Sequence, residues 1–318
     1  MTRANVALAV FIAALAVAPF LASGYVLSVL TLVLYLAFLG QAWNVMMGFA
    51  GLLSLGHALY VGLGAYASAV LYLNWGLPPL LGMLAGVALA IAAGAAIGVL
   101  GFRFSIHGVY FALLTIAFAE FTRILFDNWD LVGGSAGLFL QVRSGAGVDL
   151  FTLRGPPVLF YWIALALTLA TLALCRYLLG SRLGYYWRAI RDDPEAAQAL
   201  GVDLFRYRML AVVLSAGLTA LAGTFHVFYF NNLFPTDIFS IDRSIELLLG
   251  AIVGGVGTLI GPILGAFILT PLGEAMTAAT KGLDLPGLKQ FVYGIAVALI
   301  VLFRPEGVWP WLARRLKL

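Results

Sequence analysis

The sequence predicts an all-α fold, a polytopic transmembrane helix bundle of about nine or ten crossings that includes a broken or re-entrant segment at 242–275. Three observations predict it. Hydrophobic residues make up 63% of the 318 residues and charged residues 10%, where ordinary soluble domains are about a quarter charged; mean hydropathy is +1.04. Apolar runs of membrane-crossing length recur from one end to the other. One apolar stretch is too long to cross only once. So little polar surface cannot face water all round, and lipid is the solvent this composition suits.

A helix needs about 20 apolar residues to cross roughly 30 Å of hydrocarbon. On that ruler, spans are expected near 5–22, 25–47, 52–72, 78–101, 105–126, 158–179, 208–230 and 288–303. The first begins after Arg3 and has Phe20 and Leu21 where a cleavable signal needs small residues, so it reads as a span. The stretch 242–275 would make a continuous helix of roughly 51 Å at about 1.5 Å per residue. It must double back or break, as two short helices or a re-entrant pair around Gly254, Gly255 and Gly257. The whole of 1–318 reads as a single transmembrane domain, with an outer loop at 127–157 and a polar loop at 180–208.

Lysine and arginine set the orientation. Arg176, Arg182, Arg188, Arg191, Arg206 and Arg208 cluster around the 180–208 loop, and Arg304, Arg314, Arg315 and Lys317 in the tail. With both regions and the N-terminus cytoplasmic, 242–275 contributes an even number of crossings. Arg3 and Arg103 then join the inner set, while Arg123, Arg143, Arg154, Arg243, Lys281 and Lys289 lie outside or near the outer face.

Small residues recur every fourth position at Gly82, Gly86, Ala90, Gly94 and Gly98, and in a shorter run at Ser54, Ala58 and Gly62. Such ridges let helices approach closely in lipid. A second series, Gly250, Gly254, Gly257, Gly261 and Gly265, lies in the broken segment. Packing alone explains a ridge. Non-helical backbone at membrane depth must be buried in protein or line a cavity, so the broken segment is also a pathway candidate.

The net charge of +4 points to cytoplasmic loops rather than nucleic acid. The lone Cys175 excludes an intrachain disulfide. Lys281, Lys289 and Lys317 have no phosphate-loop context, HExxH is absent, and His57, His107 and His226 are scattered, so neither an ATPase, a catalytic site nor a metal site is expected. Glu120 and Arg123, like Arg243 and Glu246, sit three apart near the outer boundary, as snorkelling pairs or gates. No chain of buried carboxylates and histidines stands ready for ion coupling.

The 180–208 loop is polar and helical in pattern around 192–201: Asp192 or Asp193 can cap, Pro194 suits a first turn, Glu195 favours the helix N-terminus and Gly201 stops the helix. A solvated connection and a docking helix are both consistent with that pattern.

Glu195-Ala196-Ala197, followed by Gly201, resembles the EAA motif with which permeases of bacterial ABC importers engage their ATPases. Gly51–Tyr66, Gly108–Arg123, Gly133–Leu138 and Gly250–Phe267, in that order, resemble the branched-chain amino acid importer permeases, most closely the longer, M-type subunit. The likeness covers roughly residues 30–305. It departs at Met209-Leu210-Ala211, where the motif ends in Leu-Pro, and at Val132 and Ala136, where the family carries polar residues.

The resemblance implies a non-enzymatic subunit of a bacterial inner-membrane importer, with both termini cytoplasmic. It implies a second permease, two cytoplasmic ATPase subunits and an extracytoplasmic binding protein as partners. This chain would bind no cofactor, ATP and Mg being used by the ATPases. Glu195, Ala196, Ala197 and Gly201 would couple to the ATPase, with charge contacts from Arg188 and Arg191. The pathway is expected near Ser54, Gly56 and His57 and along Gly254, Gly255 and Gly257, and binding-protein docking at Gly133, Gly134 and Ser135. A permease of the same architecture for urea, other amino acids or a sugar is the nearest alternative; a self-sufficient ion-coupled carrier or channel is more distant.

Overall fold

A computed structural model describes residues 3–140, 152–279 and 288–316. Arg143, Lys281 and Lys317, and the middle of the outer loop, lie outside the described residues. The helices are α1 (Arg3–Leu21), α2 (Gly24–Asn44), α3 (Ala58–Trp75), α4 (Pro79–Arg103), α5 (Val109–Asp127), α6 (Pro157–Gly180), α7 (Arg182–Asp192), α8 (Pro194–Ala199), α9 (Leu204–Phe230), α10 (Pro235–Ile238), α11 (Ile241–Gly254), α12 (Gly261–Ala279), α13 (Leu288–Phe303) and α14 (Val308–Leu316). The strands described are two-residue pieces, β1 (Leu138–Phe139) and β2 (Asn232–Leu233), paired antiparallel. The fold is an all-α polytopic membrane bundle.

Among the described residues, five helical segments are long and apolar enough to cross a membrane: Gly24–Phe49, Pro79–Arg103, Val109–Asp127, Pro157–Gly180 and Leu204–Phe230. Ala9–Leu21 and Phe291–Ile300 are shorter apolar helices. The span expected at 52–72 is corrected: α3 begins only at Ala58, and 51–57 is non-helical. Glycines and hydrogen-bonding side chains in that stretch let the backbone leave the helix.

The residues fall into two compact units. In the unit formed by Ala42–Gly155 and Ala173–Leu248, α3 is buried along most of its length, which explains how it carries Tyr60, Tyr66 and Ser68 where lipid would not tolerate them. The four-residue ridge of α4 meets it closely. A Cβ on Gly86 would lie 2.8 Å from the Gly64 Cα, one on Gly82 2.6 Å from the Ser68 Cα, and one on Gly94 3.1 Å from the Ala216 Cβ on α9. Between α3 and α9, the Ser68 and Thr224 hydroxyls bond at 2.6 Å. This is packing by small residues and hydroxyls, the usual adhesive between helices in lipid.

The second unit is Met1–Gln41, Pro156–Leu172 and Leu249–Leu318. Tyr161 on α6 donates to the Leu15 carbonyl of α1 at 2.6 Å, and Thr168 to the Leu34 carbonyl of α2 at 2.9 Å. Val33, Ala37, Leu172, Ile263 and Ala266 form a buried apolar cluster. The long stretch at 242–275 is broken, as its length requires: α11 and α12 are separated by 255–260. They pack glycine on glycine. A Cβ on Gly265 would run into the Gly250 carbonyl, and one on Gly254 into the Gly261 carbonyl.

Candidate functional site

The polar loop folds as two helices instead of the single one expected over 192–201. Asp193 leaves helical geometry at φ −154° and ends α7. Its Oδ1 accepts from the backbone N–H groups of Glu195 and Ala196, both at 3.0 Å, so α8 is capped by Asp193 and opens on Pro194. At the other end Val202 N–H donates to the Ala197 carbonyl at 3.1 Å and Gly201 N–H to that of Gln198 at 2.9 Å. Gly201 takes φ +88° to make this closing turn. Asp203 then caps α9 through Arg206 N–H at 3.0 Å. Two aspartate caps thus bracket a six-residue helix.

Within α8, Ala197 is packed inward at 3% exposure, while Glu195, Ala196 and Gln198 face out. Leu200, not singled out from the sequence, is 86% exposed. Beside α8 lies a cleft of about 480 Å³ lined by Phe102, Ser105, His107, Gln198, Asp203 and Arg208, among others.

Arg188 and Arg191, expected to reach a partner, are bonded within the chain. Arg188 donates to the Gly184 carbonyl at 3.2 Å and the Leu179 carbonyl at 3.3 Å, and lies over the Tyr185 ring. Arg191 pairs with Asp192 at 3.2 Å and sends Nη1 to the Gly48 carbonyl at 2.7 Å. Trp187, fully buried, donates to the Tyr207 carbonyl of α9 at 2.8 Å.

Ser54, Gly56 and His57 lie together in the non-helical stretch, which corrects the placement of His57 on a helix; it is the residue from which α3 starts. Its Nδ1 is 3.0 Å from Ser54 Oγ and its Nε2 2.9 Å from Ser215 Oγ. Ser215 donates its own proton to the Ala42 carbonyl at 2.7 Å. Ser215 Oγ must therefore accept from Nε2–H, and Nδ1 accepts from Ser54, which fixes a neutral imidazole as the form that satisfies every group. The backbone of the stretch is served by side chains from elsewhere: Trp43 Nε1 donates to the Ser54 carbonyl at 2.8 Å, Leu55 N–H to Thr115 Oγ1 at 3.1 Å and Ala58 N–H to Ser244 Oγ at 3.1 Å. Sequence reasoning did not single out Ser215, Thr115, Ser244 or Trp43. Ser215 and Thr219, one turn apart in an apolar span, were the available signal.

Gly254, Gly255 and Gly257 sit at the α11–α12 break. Gly255 (φ +125°) and Gly257 (φ +79°) need glycine's conformational freedom. The space beside Gly255 is filled by Pro310, with Cδ 3.0 Å from a Cβ built there, and by the Glu306 carbonyl at 3.1 Å.

Gly133 (φ +88°) and Gly134 (φ +49°) shape two short 3₁₀ turns before β1. A Cβ on Gly133 would lie 2.6 Å from the Gly137 carbonyl oxygen, so these glycines serve the turn, while Ser135 and Phe139 are exposed. In the same unit Arg243 bridges Asp237 at 3.0 Å and Glu246 at 3.1 Å. Arg123 holds Glu120 at 2.6 Å, with the carboxylate side chain 48% exposed.

Comparison with known proteins gives this geometry a family. The family described as branched-chain amino acid transport system permease component matches residues 25–302. The high-affinity branched-chain amino acid transport system permease protein LivM of Escherichia coli (strain K12) is 30% identical, covering 94% of this chain and 73% of its own length. LivM of Salmonella typhimurium is 29% identical over the same shares. The E. coli LivH permease is 30% identical over 43% of this chain and 45% of its own. No solved structure matches. The chain belongs to the permease-component family of the branched-chain amino acid transport systems.

Proposed function

We propose that this chain, acting as one permease domain, forms half of the translocation pathway of an ATP-driven importer for branched-chain amino acids in a bacterial inner membrane. It pairs with a second permease, two cytoplasmic ATPase subunits that bind and spend ATP and Mg, and an extracytoplasmic binding protein. Both termini face the cytoplasm. The observation that carries this reading is α8: a short helix, capped by Asp193, closed by the Gly201 turn, packed by Ala197 and presenting Glu195, Ala196, Gln198 and Leu200 outward. A polar element displaying an 86% exposed leucine suits a protein groove better than water or lipid. The cleft lined by Gln198 and Arg208 extends the same surface. Turning a conformational equilibrium from 1:99 to 99:1 takes about 5.5 kcal/mol of differential interaction, so several contacts must act together there.

The likeness to LivM supports leucine, isoleucine and valine as cargo, and the Gly133–Ser135 turns, with exposed Phe139, offer the binding protein a docking edge. The test is ATP-driven uptake of labelled leucine, isoleucine and valine into proteoliposomes holding the assembled importer, with urea and a sugar as competitors. Glu195→Arg and Gly201→Asp are expected to lower ATPase co-purification and uptake together. Uptake by this chain alone, driven by an ion gradient, would overturn the proposal, as would normal co-purification and uptake in both variants.

A further inference from the structure

We infer that Arg191 is a latch: it fastens the cytoplasmic helix α7 to the π-turn that closes α2, and it passes motion of α7–α8 into the non-helical stretch 51–57. The inference rests on the importer reading above but assigns Arg191 a different task from touching the ATPase.

The π-turn, Val45–Phe49, is what makes a latch possible. In a π-turn the helix widens and its bonds shift by one residue, a form that occurs in single turns and concentrates at functional sites. Here the turn uses up the carbonyls around Gly48. Met47 O accepts from Gly51 N–H at 3.0 Å and Met46 O from Leu52 N–H at 3.0 Å. The Gly48 carbonyl is left at the helix C-terminus, where the last carbonyls lack partners within the helix and the macrodipole is negative. The guanidinium of Arg191 supplies both a donor and a positive charge at that point, at 2.7 Å. An ionised donor shortens and strengthens such a bond.

The latch has a hard seat as well as a hydrogen bond. Gly51 follows the π-turn at φ +72°, and a Cβ there would stand 3.0 Å from Arg191 Cγ, 3.2 Å from its Cα and 3.3 Å from its Cβ. The backbone at Gly51 therefore bears directly on the stem of Arg191. Helix α7 cannot advance toward that point without pushing it, nor retreat without pulling on the Gly48 carbonyl.

Beyond Gly51 the chain is built to deform without losing its bonds all at once. Gly51 and Leu52 still bond back to the π-turn, but from Ser54 onward the stretch takes single bonds from Trp43, Thr115 and Ser215, and Ala58 at its end takes one from Ser244. These partners belong to four different elements. Behind Arg191, α7 is tied to α9 through Trp187 and to α8 through the Asp193 cap. A displacement received at α8 thus has a continuous bonded route: Asp193, Arg191, Gly48 and Gly51, then Ser54 and His57. Two sites read separately from the sequence are ends of one connection.

The experiment uses the full importer, with its ATPases and binding protein, in proteoliposomes, measuring labelled leucine taken up per ATP hydrolysed. Arg191→Gln is expected to keep ATPase co-purification and hydrolysis but to lower uptake per ATP at least tenfold. A covalent latch replaces the lost one in the double variant Gly51→Cys, Arg191→Cys, since the 3.3 Å between the two β-carbons approaches the span of a disulfide, about 3.5–4.5 Å. The buried native Cys175 does not compete. Reduced, this variant should be as uncoupled as Arg191→Gln; oxidised, it should recover several-fold. Uptake per ATP within twofold of the parent in Arg191→Gln would overturn the latch. Loss of ATPase co-purification would also overturn it, by making Arg191 a docking residue. No difference between the oxidised and reduced double variant would do the same. Failure of the importer reading shows separately, as absent leucine uptake in the unsubstituted assembly, and removes the latch with it.

Discussion

The helix breaks at 255–260 and at 45–57 are held in different ways. At 255–260 a side chain of the break bridges it: Thr258 Oγ1 donates to the Gly255 carbonyl at 2.8 Å and accepts from Gly261 N–H at 3.0 Å, while α11 and α12 meet glycine to glycine. At 45–57 the break is satisfied from afar, by Thr115 on α5, Arg191 on α7, Ser215 on α9 and Ser244 on α11. A break bridged by its own side chain depends less on the placement of distant helices. One that borrows them records the positions of its lenders. The second is the form expected of a part that responds to movement elsewhere.

That contrast can be broken by substitution. The largest effect is expected from Gly265→Val, whose branched side chain must displace the Gly250 carbonyl. Overpacking ordinarily costs about 1–3 kcal/mol, and here the obstacle is backbone, so little monodisperse protein should survive detergent extraction. A yield within twofold of the parent would show that the hairpin opens freely. His57→Ala comes next. It leaves Ser54 Oγ buried without its partner, a loss of about 1–3 kcal/mol, and should lower the thermal midpoint by several degrees and reduce uptake as well. Smallest is Thr258→Val, which forfeits a local cap of about 1 kcal/mol. Its midpoint should fall slightly with uptake per ATP preserved; a larger transport defect than that of His57→Ala would reverse the comparison.

The parts of the structure legible in the sequence are those set by near neighbours. Asp193, Pro194, Glu195 and Gly201 mark α8 because capping and helix termination act over three or four residues. The α4 ridge and the break after Gly254 are likewise written in spacing and length. The bond from Arg191 to Gly48 was not legible, because it joins positions 143 apart, and that from His57 to Ser215 joins positions 158 apart. No local periodicity records such pairs. The π-turn is hidden for another reason: Val45–Phe49 is as apolar as the helix before it, and only the unusual bonding distinguishes it. The expected partner contacts of Arg188 and Arg191 followed from their charge. Charge alone does not reveal that a nearby helix end has carbonyls to offer.

The turn at Gly307 bears on the order in which the protein is made. Pro310 and the Glu306 carbonyl cover Gly255, and Gly307 at φ +88° turns the chain so that they can. The unit they complete also contains Met1–Gln41. The segment Met1–Gln41 is thus made well before Glu306–Pro310 and waits for them, whereas the unit that reaches Leu248 already holds both its segments by then. At about 5–20 residues per second, the interval between those two moments is several seconds, during which the glycine backbone at 254–255 awaits its cover.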